Sequence, residues 1–338
     1  MWVTIPYGEN MSSKFPESLI DEERFSRFDR SDNVFGRIQH DREAPFFKTG
    51  MYDGVERVLD SEEGYSSFEL ARAMGGWAVY DYFTEAFEPK TPERDANIMD
   101  KPILNPPSDK PGILTEEVRA AALAYGASQV GITGVDSRWV YQTDRGGDSL
   151  DHLLNYDYAV VMIIPVEPEP TGKSPRFPAA RASAISYSRM AFIISCLSEF
   201  IRRLGYRAAP MGNGGALSIP LAMDAGLGRL GRNGLLINQK LGSCLKICKV
   251  FTDMRLVEDD PLDSPLVDRC YSCKLCSGAC EVDAISGRTD PEPGKACPAN
   301  NEGIIRWPVD HYKCYQFWIE NGSDCSSCIS ACPLTPNY

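Results

Sequence analysis

The cysteines near the C-terminal end of the chain have a spacing that binds iron. Residues 270–280 read C-x2-C-x2-C-x3-C, and residues 325–333 read C-x2-C-x3-C-P, with Cys314 preceding the second run. Three thiolates spaced in this way can bind three corners of one [4Fe-4S] cluster, whereas the short loop cannot supply the fourth ligand. The two runs therefore predict two clusters and the one-electron transfer that such clusters perform.

The fourth ligand of each cluster is expected to come from the other run, as in two-cluster ferredoxins. The predicted ligands of one cluster are Cys270, Cys273, Cys276 and Cys332, and those of the second are Cys280, Cys314, Cys325 and Cys328. Cys297 is the alternative to Cys314, which is favoured because it lies closer in sequence to Cys325. A zinc ribbon or a disulfide framework is the competing interpretation. Zinc sites rarely need eight thiolates in this crossed pattern, and a chain of 338 residues needs no disulfides to stabilise its core.

The composition argues against some classes of protein. A formal net charge of −12 argues against a nucleic-acid partner, because phosphate binding needs a basic surface. The apolar fraction of 43% is ordinary for a globular protein, and no run reaches the roughly eighteen apolar residues of a membrane helix. The first residues lack the basic start and the apolar segment of a signal peptide. The protein is therefore expected to be either cytoplasmic or an exported protein whose leader has been cleaved.

Apolar periodicity predicts a layered core between residues 111 and 262. Helices are expected at residues 68–87, 115–125, 186–204 and 219–225, and strands at residues 129–133, 158–165, 206–210, 234–238 and 247–251. Strand 158–165 is apolar throughout, which is typical of a strand buried on both faces. Strands that alternate with helices predict an α/β (α+β) fold. Residues 1–110 are then an N-terminal extension packing on the core, with a proline-rich linker at 88–112, and residues 263–338 form the cysteine-rich domain.

A glycine motif in the core matches a dinucleotide-binding pattern in letters only. Residues 226–231 read G-x-G-x-x-G, but a dinucleotide site needs a strand before the motif and a helix after it. Here a helical pattern precedes the motif and a strand follows it. The glycines are instead expected to let the backbone approach another large, flat ligand, with Gly228, Gly231, Arg232 and Asn233 as the residues that bind it.

Several stretches of the core together resemble the corrinoid-dependent reductive dehalogenases. They are residues 185–190 (ISYSRM), 203–210 (RLGYRAAP), 212–213 (GN), 225–232 (AGLGRLGR), 249–253 (KVFTD) and 313–318 (KCYQFW). The likeness covers roughly residues 115–333 and extends more weakly to residues 25–35. It implies a nitroreductase-like core that binds cobalamin, followed by a ferredoxin-like module with two [4Fe-4S] clusters. The implied reaction replaces the halogen of a small organohalide by hydrogen.

The resemblance also implies residue roles. Tyr187 matches the proton-donating tyrosine of the family, Asn213 a polar residue beside it, and Lys246 a position where relatives often carry Arg. A tyrosine is a weak acid, with a pKa of about 10, so it needs a neighbouring cation to become useful. The family holds its corrinoid base-off, without a histidine ligand, which suits a chain with 3 histidines. Candidates for an aromatic substrate pocket are Phe35, Trp77, Tyr80 and Trp318.

Partners and location follow from the resemblance alone. The expected electron donor is a quinol chain, a ferredoxin or a flavodoxin, and a small membrane anchor protein and a homodimer are further candidate partners. The expected location is the outer face of the cytoplasmic membrane, with the cytoplasm as the alternative. Two other functions compete. One is an epoxyqueuosine reductase-like enzyme, which would need a basic surface for RNA, and the other is a two-cluster electron carrier without a corrinoid.

Overall fold

The computed structural model describes residues 18–49, 54–86 and 108–336, apart from the side chains of residues 85 and 86. In these ranges the helices are α1 (Val34–Arg37), α2 (Val55–Leu59), α3 (Ser67–Ala86), α4 (Pro111–Ala124), α5 (Pro168–Thr171), α6 (Phe177–Arg203), α7 (Ser218–Asp224), α8 (Leu275–Gly278), α9 (His311–Asn321) and α10 (Ser327–Ser330). The strands are β1 (Gln129–Gly134), β2 (Tyr158–Pro165), β3 (Ala208–Met211), β4 (Arg229–Leu230), β5 (Leu236–Ile237) and β6 (Leu245–Thr252). Each predicted strand has a counterpart among them.

The core is a four-stranded sheet with the order β1-β2-β6-β3. All three neighbouring pairs are antiparallel, and Ile164 of β2 lies opposite Lys246 of β6. Strands β4 and β5 form a separate two-stranded sheet just after the glycine motif. The predicted mixture of helices and strands is confirmed, and the antiparallel pairing makes the fold α+β rather than doubly wound.

Both faces of the sheet are buried, as the apolar run of β2 predicted. Residues 159–164 are all at most 1% exposed. Their side chains alternate between two hydrophobic clusters: Val160, Met162 and Ile164 pack with α4 and α6, while Ala159, Val161 and Ile163 pack with α7 and the C-terminal segment. Strand residues alternate between faces, so position along a strand decides which side of the molecule a side chain serves.

Helix α6 begins nine residues earlier than its apolar pattern predicts. It starts at Phe177 rather than Ser186, and Pro178 lies in its first turn, where a missing N–H costs nothing. The added turns carry the small buried residues Ala179, Ala180, Ala182 and Ala184. Small side chains give a weak periodic signal, which is why the sequence pattern hides this part of the helix. By length and composition α6 could cross a membrane, although half of that stretch is buried in this fold.

The remaining predicted boundaries differ by smaller amounts. Helix α3 lies within one residue of the predicted 68–87 range, and α4 begins at Pro111 rather than Thr115. Most of the predicted linker, residues 88–107, lies outside the described residues. The first described segment packs on the cysteine-rich end of the chain, where Ile20 forms a β-bridge with Ile304 and Phe46 contacts Tyr315.

Candidate functional site

Tyr187 lies on α6 between a hydrogen-bond donor and a cation. The Asn213 side-chain amide donates a hydrogen bond of 3.0 Å from Nδ2 to the Tyr187 hydroxyl oxygen. The Lys246 ammonium lies over the aromatic ring, with Nζ 4.5 Å from its centroid. Tyr187 and Lys246 are half-buried, and Asn213 is exposed. The three residues that resemble the family's site are therefore in contact, at a place that solvent reaches.

The sheet explains this convergence. Even-numbered residues of β6 such as Cys248 and Val250 face the cluster that contains α6, and Lys246 shares their parity at the start of the strand. Asn213 follows the end of β3 by two residues. Strand β3 is the edge partner of β6. Both polar residues are thus carried to Tyr187 by neighbouring strands.

Helix α3 supplies an aromatic wall to the same site. Trp77 stacks on Tyr187 with ring centroids 4.6 Å apart, and the Tyr80 ring lies 4.9 Å from the same ring. Two of the four predicted pocket residues therefore meet the predicted proton donor. An apolar wall with a few polar groups is the usual composition of a pocket for a small organic ligand.

Two residues outside the predicted site hold α3 against α6. The Ser188 hydroxyl donates to the Gly76 carbonyl and accepts from the Tyr80 amide, so it stands between a donor and an acceptor that a regular helix would pair directly. Gly76 lets the helices approach, because a Cβ there would lie 2.9 Å from Ala184 Cβ. Ser188 lies in the stretch that resembles the family, but no local signal shows its partner on α3.

Phe35 and Trp318 lie in a different aromatic group. Phe35 contacts Tyr315 and Trp318 at centroid distances of 5.2 and 6.2 Å, and Tyr315 also packs against Phe46. This group joins the N-terminal segment to α9. Within the described residues, Phe35 and Trp318 contact each other and Tyr315. The aromatic side chains that contact Tyr187 are those of Trp77 and Tyr80.

The first predicted set of thiols is grouped in space. Burial, together with the neighbouring charges of Cys270, Cys332 and Cys273, raises the pKa of the Cys276 thiol to about 11. Burial likewise raises the pKa values of Cys270 and Cys332, and the negative charge of the Cys273 thiolate adds to the increase in both. Buried thiols ionise only beside positive charge, which bound iron supplies.

The second predicted set is grouped in the same manner. Burial raises the pKa of Cys314 to about 12, with Cys325 and Cys280 adding to the effect. Burial and the charges of Cys314, Cys325 and Cys280 raise the pKa of Cys328 well above its ordinary value. Cys276 of the first set also acts on Cys328, so the two sets are neighbours.

Cys297, the alternative ligand, has partners of its own. Its thiol is buried, its amide is bonded to the Asn300 side chain, and its electrostatic neighbour is Arg306. Within residues 18–49, 54–86 and 108–336, no three His, Cys, Asp or Glu side chains converge closely enough to bind a single metal ion.

Arg232 stabilises the first cysteine run instead of lining a cleft. Its guanidinium is 1% exposed and donates to the carbonyls of Cys270, Cys273, Ser286 and Arg288. It also lies 5.0 Å from the centroid of the Trp307 ring. The sequence predicts that Arg232 binds the cofactor. The carbonyl groups that it contacts lie at least 38 positions away, so no local pattern around Arg232 predicts these hydrogen bonds.

The other three residues predicted to bind a large, flat cofactor also have protein partners. A Cβ at Gly228 would lie 2.4 Å from the Ile237 carbonyl oxygen, and one at Gly231 would lie 2.6 Å from Ile237 Cγ1. The buried Asn233 amide donates to the Ser243 hydroxyl. The glycines thus allow Ile237 of β5 to approach the residues on either side of β4 closely, through its backbone at Gly228 and its side chain at Gly231.

Asp324 connects the tyrosine site with the second thiol set. It is buried and precedes Cys325, and the positive charge of Lys246 acts on its carboxyl group. Burial raises the pKa of Asp324, while Lys246 and a hydrogen bond with Ser183 oppose that increase. Lys246 therefore contacts the Tyr187 ring and also acts electrostatically on a carboxyl group next to a predicted iron ligand.

A cavity of about 390 Å³ lies away from Tyr187, on the α7 side of the sheet. Its lining includes Arg138, Trp139 and Asp224, and the Trp139 indole donates to the Asp224 carboxylate. None of the residues predicted to act in catalysis, cofactor binding, substrate binding or iron binding lines it, so the site around Tyr187 is the better functional candidate.

Comparison with known proteins gives a consistent family. No family model matches the chain. The tetrachloroethene reductive dehalogenase of Desulfitobacterium hafniense is 31% identical over 366 residues, which cover 87% of this chain and 66% of that protein. That of Sulfurospirillum multivorans is 30% identical over 68% of this chain and 52% of its own length. The epoxyqueuosine reductase of Aliivibrio fischeri matches 26% of this chain and 23% of its own length, at 33% identity.

The fold agrees with these relatives. A solved reductive dehalogenase, described as suggesting a mechanism for B12-dependent dehalogenation, superimposes with a TM-score of 0.74 over 97% of this chain and 44% of its own, at 23% identity. The chain spans about two thirds of the length of the Desulfitobacterium relative. On this likeness in sequence and fold, the chain belongs to the reductive dehalogenase family.

Proposed function

We propose that this protein removes a halogen atom reductively from a small organohalide and replaces it with hydrogen. The observation that carries the proposal is the contact of Tyr187 with both Asn213 and Lys246 inside an aromatic wall. Such a site can donate a proton to an apolar substrate. The reaction consumes two electrons and one proton. The carbon–halogen bond breaks, a carbon–hydrogen bond forms, and a halide ion leaves.

The electrons are proposed to come through two [4Fe-4S] clusters. The two groups of neighbouring thiols fit two clusters, with Cys332 completing the first set and Cys280 the second. Cys276 of the first set is an electrostatic neighbour of Cys328 of the second, which supports two adjacent cluster sites. Cys314 is the proposed ligand rather than Cys297, since Cys314 is an electrostatic neighbour of Cys328, Cys325 and Cys280, whereas Cys297 is a neighbour of Arg306.

The B12 cofactor of the solved family member is proposed for this chain too. When bound, a corrinoid would supply the low-potential reduction that an unactivated carbon–halogen bond requires. The contacts of Gly228, Gly231, Arg232 and Asn233 are with protein groups, and their role in holding it stays a prediction. We assign no corrinoid ligand among the described residues, and the base-off state stays a prediction.

The residues around Tyr187 have separable tasks. The hydrogen bond from Asn213 stabilises negative charge on the hydroxyl oxygen, and the oxygen remains free to donate its own proton. The Lys246 ammonium favours the same charge from the ring face. Trp77 and Tyr80 cover part of the Tyr187 ring and present an apolar surface to the substrate. Tyr187 is therefore the proposed proton donor.

Substrate and partners extend the proposal by analogy. The curated relatives are named for tetrachloroethene, so a chlorinated ethene is the first substrate to test. A quinol chain, a ferredoxin or a flavodoxin as electron donor, a small membrane anchor protein, and a homodimer stay predictions. So does a position at the outer face of the cytoplasmic membrane. The negative net charge, −12, favours a small-molecule substrate over RNA.

The test is metal content followed by turnover. Protein purified without oxygen and supplied with cobalamin is expected to contain about eight irons and one cobalt, and to release chloride from tetrachloroethene with a reduced viologen dye. Iron without cobalt would favour a two-cluster electron carrier. Both metals without release of halide from any organohalide would favour a different corrinoid reductase.

A further inference from the structure

A lysine is buried beneath the loop that carries Asn213. Lys249 on β6 is 0% exposed, and its side chain points to the face of the sheet opposite Tyr187. Its Nζ donates to the Gly212 carbonyl oxygen at 2.8 Å and to the Ser218 hydroxyl at 3.0 Å. A buried ammonium group is costly unless its hydrogens find acceptors. The two acceptors lie at the ends of one short segment, between β3 and α7.

This segment is fixed from both sides. From one side Lys249 bonds to the Gly212 carbonyl. From the other side Tyr80 leaves no room for a side chain, because a Cβ at Gly212 would lie 2.7 Å from the Tyr80 hydroxyl oxygen. The backbone N–H of Asn213 also donates to the Tyr80 hydroxyl oxygen, at an N···O distance of 3.5 Å. The backbone at residues 212–213 is therefore held between a buried cation and the aromatic wall.

We propose that Lys249 is a positioning residue for the proton donor. By bonding to the Gly212 carbonyl, it fixes the backbone position of the next residue, Asn213. The Asn213 side-chain amide then donates to the Tyr187 hydroxyl at 3.0 Å. Lys249 acts through Asn213 and does not touch the substrate. The effect of Lys249 on turnover rests on the proposed function, whereas its effect on the position of Asn213 can be measured without turnover.

The test follows the tyrosine directly. Protein carrying its iron and labelled with [¹³Cζ]tyrosine gives a resonance for Tyr187 that is identified by its loss in Tyr187→Phe. Lys249→Met removes the donors while keeping a side chain of similar length. The Tyr187 resonance is expected to move to the position that it has in Asn213→Ala. Lys240→Met is the matched control, since Lys240 is exposed, and it should leave the resonance unchanged.

A double-variant cycle separates positioning from a general structural role. If Lys249 acts through Asn213, then Lys249→Met added to Asn213→Ala should change the resonance no further. In turnover, each single variant should lower kcat by about tenfold, the loss expected for one hydrogen bond of ordinary strength, with little change in KM. Ser218→Ala, which keeps the bond to Gly212, should lower kcat less than twofold.

Two results would overturn the inference. One is a folded Lys249→Met or Lys249→Gln protein whose Tyr187 resonance stays at the wild-type position. The other is an Asn213→Ala protein with that resonance unchanged, which decides the matter even where the Lys249 variants fail to fold. A shifted resonance in a protein that releases no halide would keep the positioning role and reject the proposed function.

Discussion

Trp77 stacks on Tyr187 with ring planes 26° apart and centroids 4.6 Å apart. The two residues lie on different helices, so their contact depends on how closely α3 approaches α6. The bridging hydroxyl of Ser188 and the absence of a side chain at Gly76 set that approach. The aromatic wall of the proposed site is therefore a property of helix packing as well as of residue type.

Gly76→Ala should disturb this wall, whereas Gly75→Ala should not. The new Cβ at position 76 would meet Ala184 Cβ at 2.9 Å and the Ile185 amide at 3.1 Å, while a Cβ at position 75 has nothing within 4 Å. Overpacking of this kind costs about 1–3 kcal/mol, and an added alanine in an open helix position stabilises by up to about 1 kcal/mol. Urea unfolding and the fluorescence of Trp77 measure both effects, and equal stability of the two variants would contradict the account.

Lys246 should be replaceable by Arg but not by Met. The ammonium group lies 4.5 Å from the Tyr187 ring centroid, and a guanidinium could keep that charge although its shape differs. Lys246→Arg is therefore expected to retain turnover within about tenfold, and Lys246→Met to lose about 10²-fold or more, the lower range for general acid catalysis. Iron content serves as the control for folding. Full turnover in Lys246→Met would remove the cation from the mechanism.

Arg232→Met should weaken the first cluster rather than the binding of a corrinoid. The substitution leaves carbonyl groups of Cys270, Cys273, Ser286 and Arg288 without their buried donor. A buried acceptor left without its donor costs about 1–3 kcal/mol. Iron content and thermal stability should both fall. Arg288→Met is the control, because its side chain is 65% exposed and exposed ion pairs contribute about 0–1 kcal/mol. Normal iron with lost cobalt in Arg232→Met would instead support the cofactor role.

Cys314 and Cys297 should behave oppositely when each is replaced by alanine. The charge of Cys314 raises the pKa of Cys328, and the charges of Cys325 and Cys280 raise the pKa of Cys314. The electrostatic neighbour of Cys297 is instead Arg306. Cys297→Ala should keep about eight irons, and Cys314→Ala should lose iron and show the electron paramagnetic resonance signal of a damaged cluster. The reverse pattern would make Cys297 the ligand.

The sequence predicts much of this molecule where the signal is local. The apolar run of β2 and the periodicity of α3 identified their elements to within about a residue. The extra turns of α6 stayed hidden because small alanines pack without a strong periodic pattern. Aromatic residue type alone could not separate Trp77 and Tyr80 from Phe35 and Trp318, since contact with Tyr187 depends on tertiary packing.

Long-range partners account for the rest. Arg232 lies in a glycine-rich stretch, yet its acceptors lie 38 to 56 positions further along the chain. Lys249 and Ser188 occur in stretches that resemble the family, but only the fold shows that one holds Gly212 and the other holds α3. Residue types and spacing predict a chemistry, while hydrogen bonds between distant segments decide which residues perform it.

The most direct test of the central claim is chloride release by wild-type and Tyr187→Phe proteins with matched iron and cobalt content. The substitution removes the hydroxyl that Asn213 contacts and keeps the ring beneath Trp77 and Lys246. The account predicts chloride release by the wild-type protein, and a loss of about 10²–10⁴-fold in the variant, the range for a general acid. Equal rates in the two proteins would contradict the assignment of Tyr187, and the absence of halide release in both would contradict the proposed function.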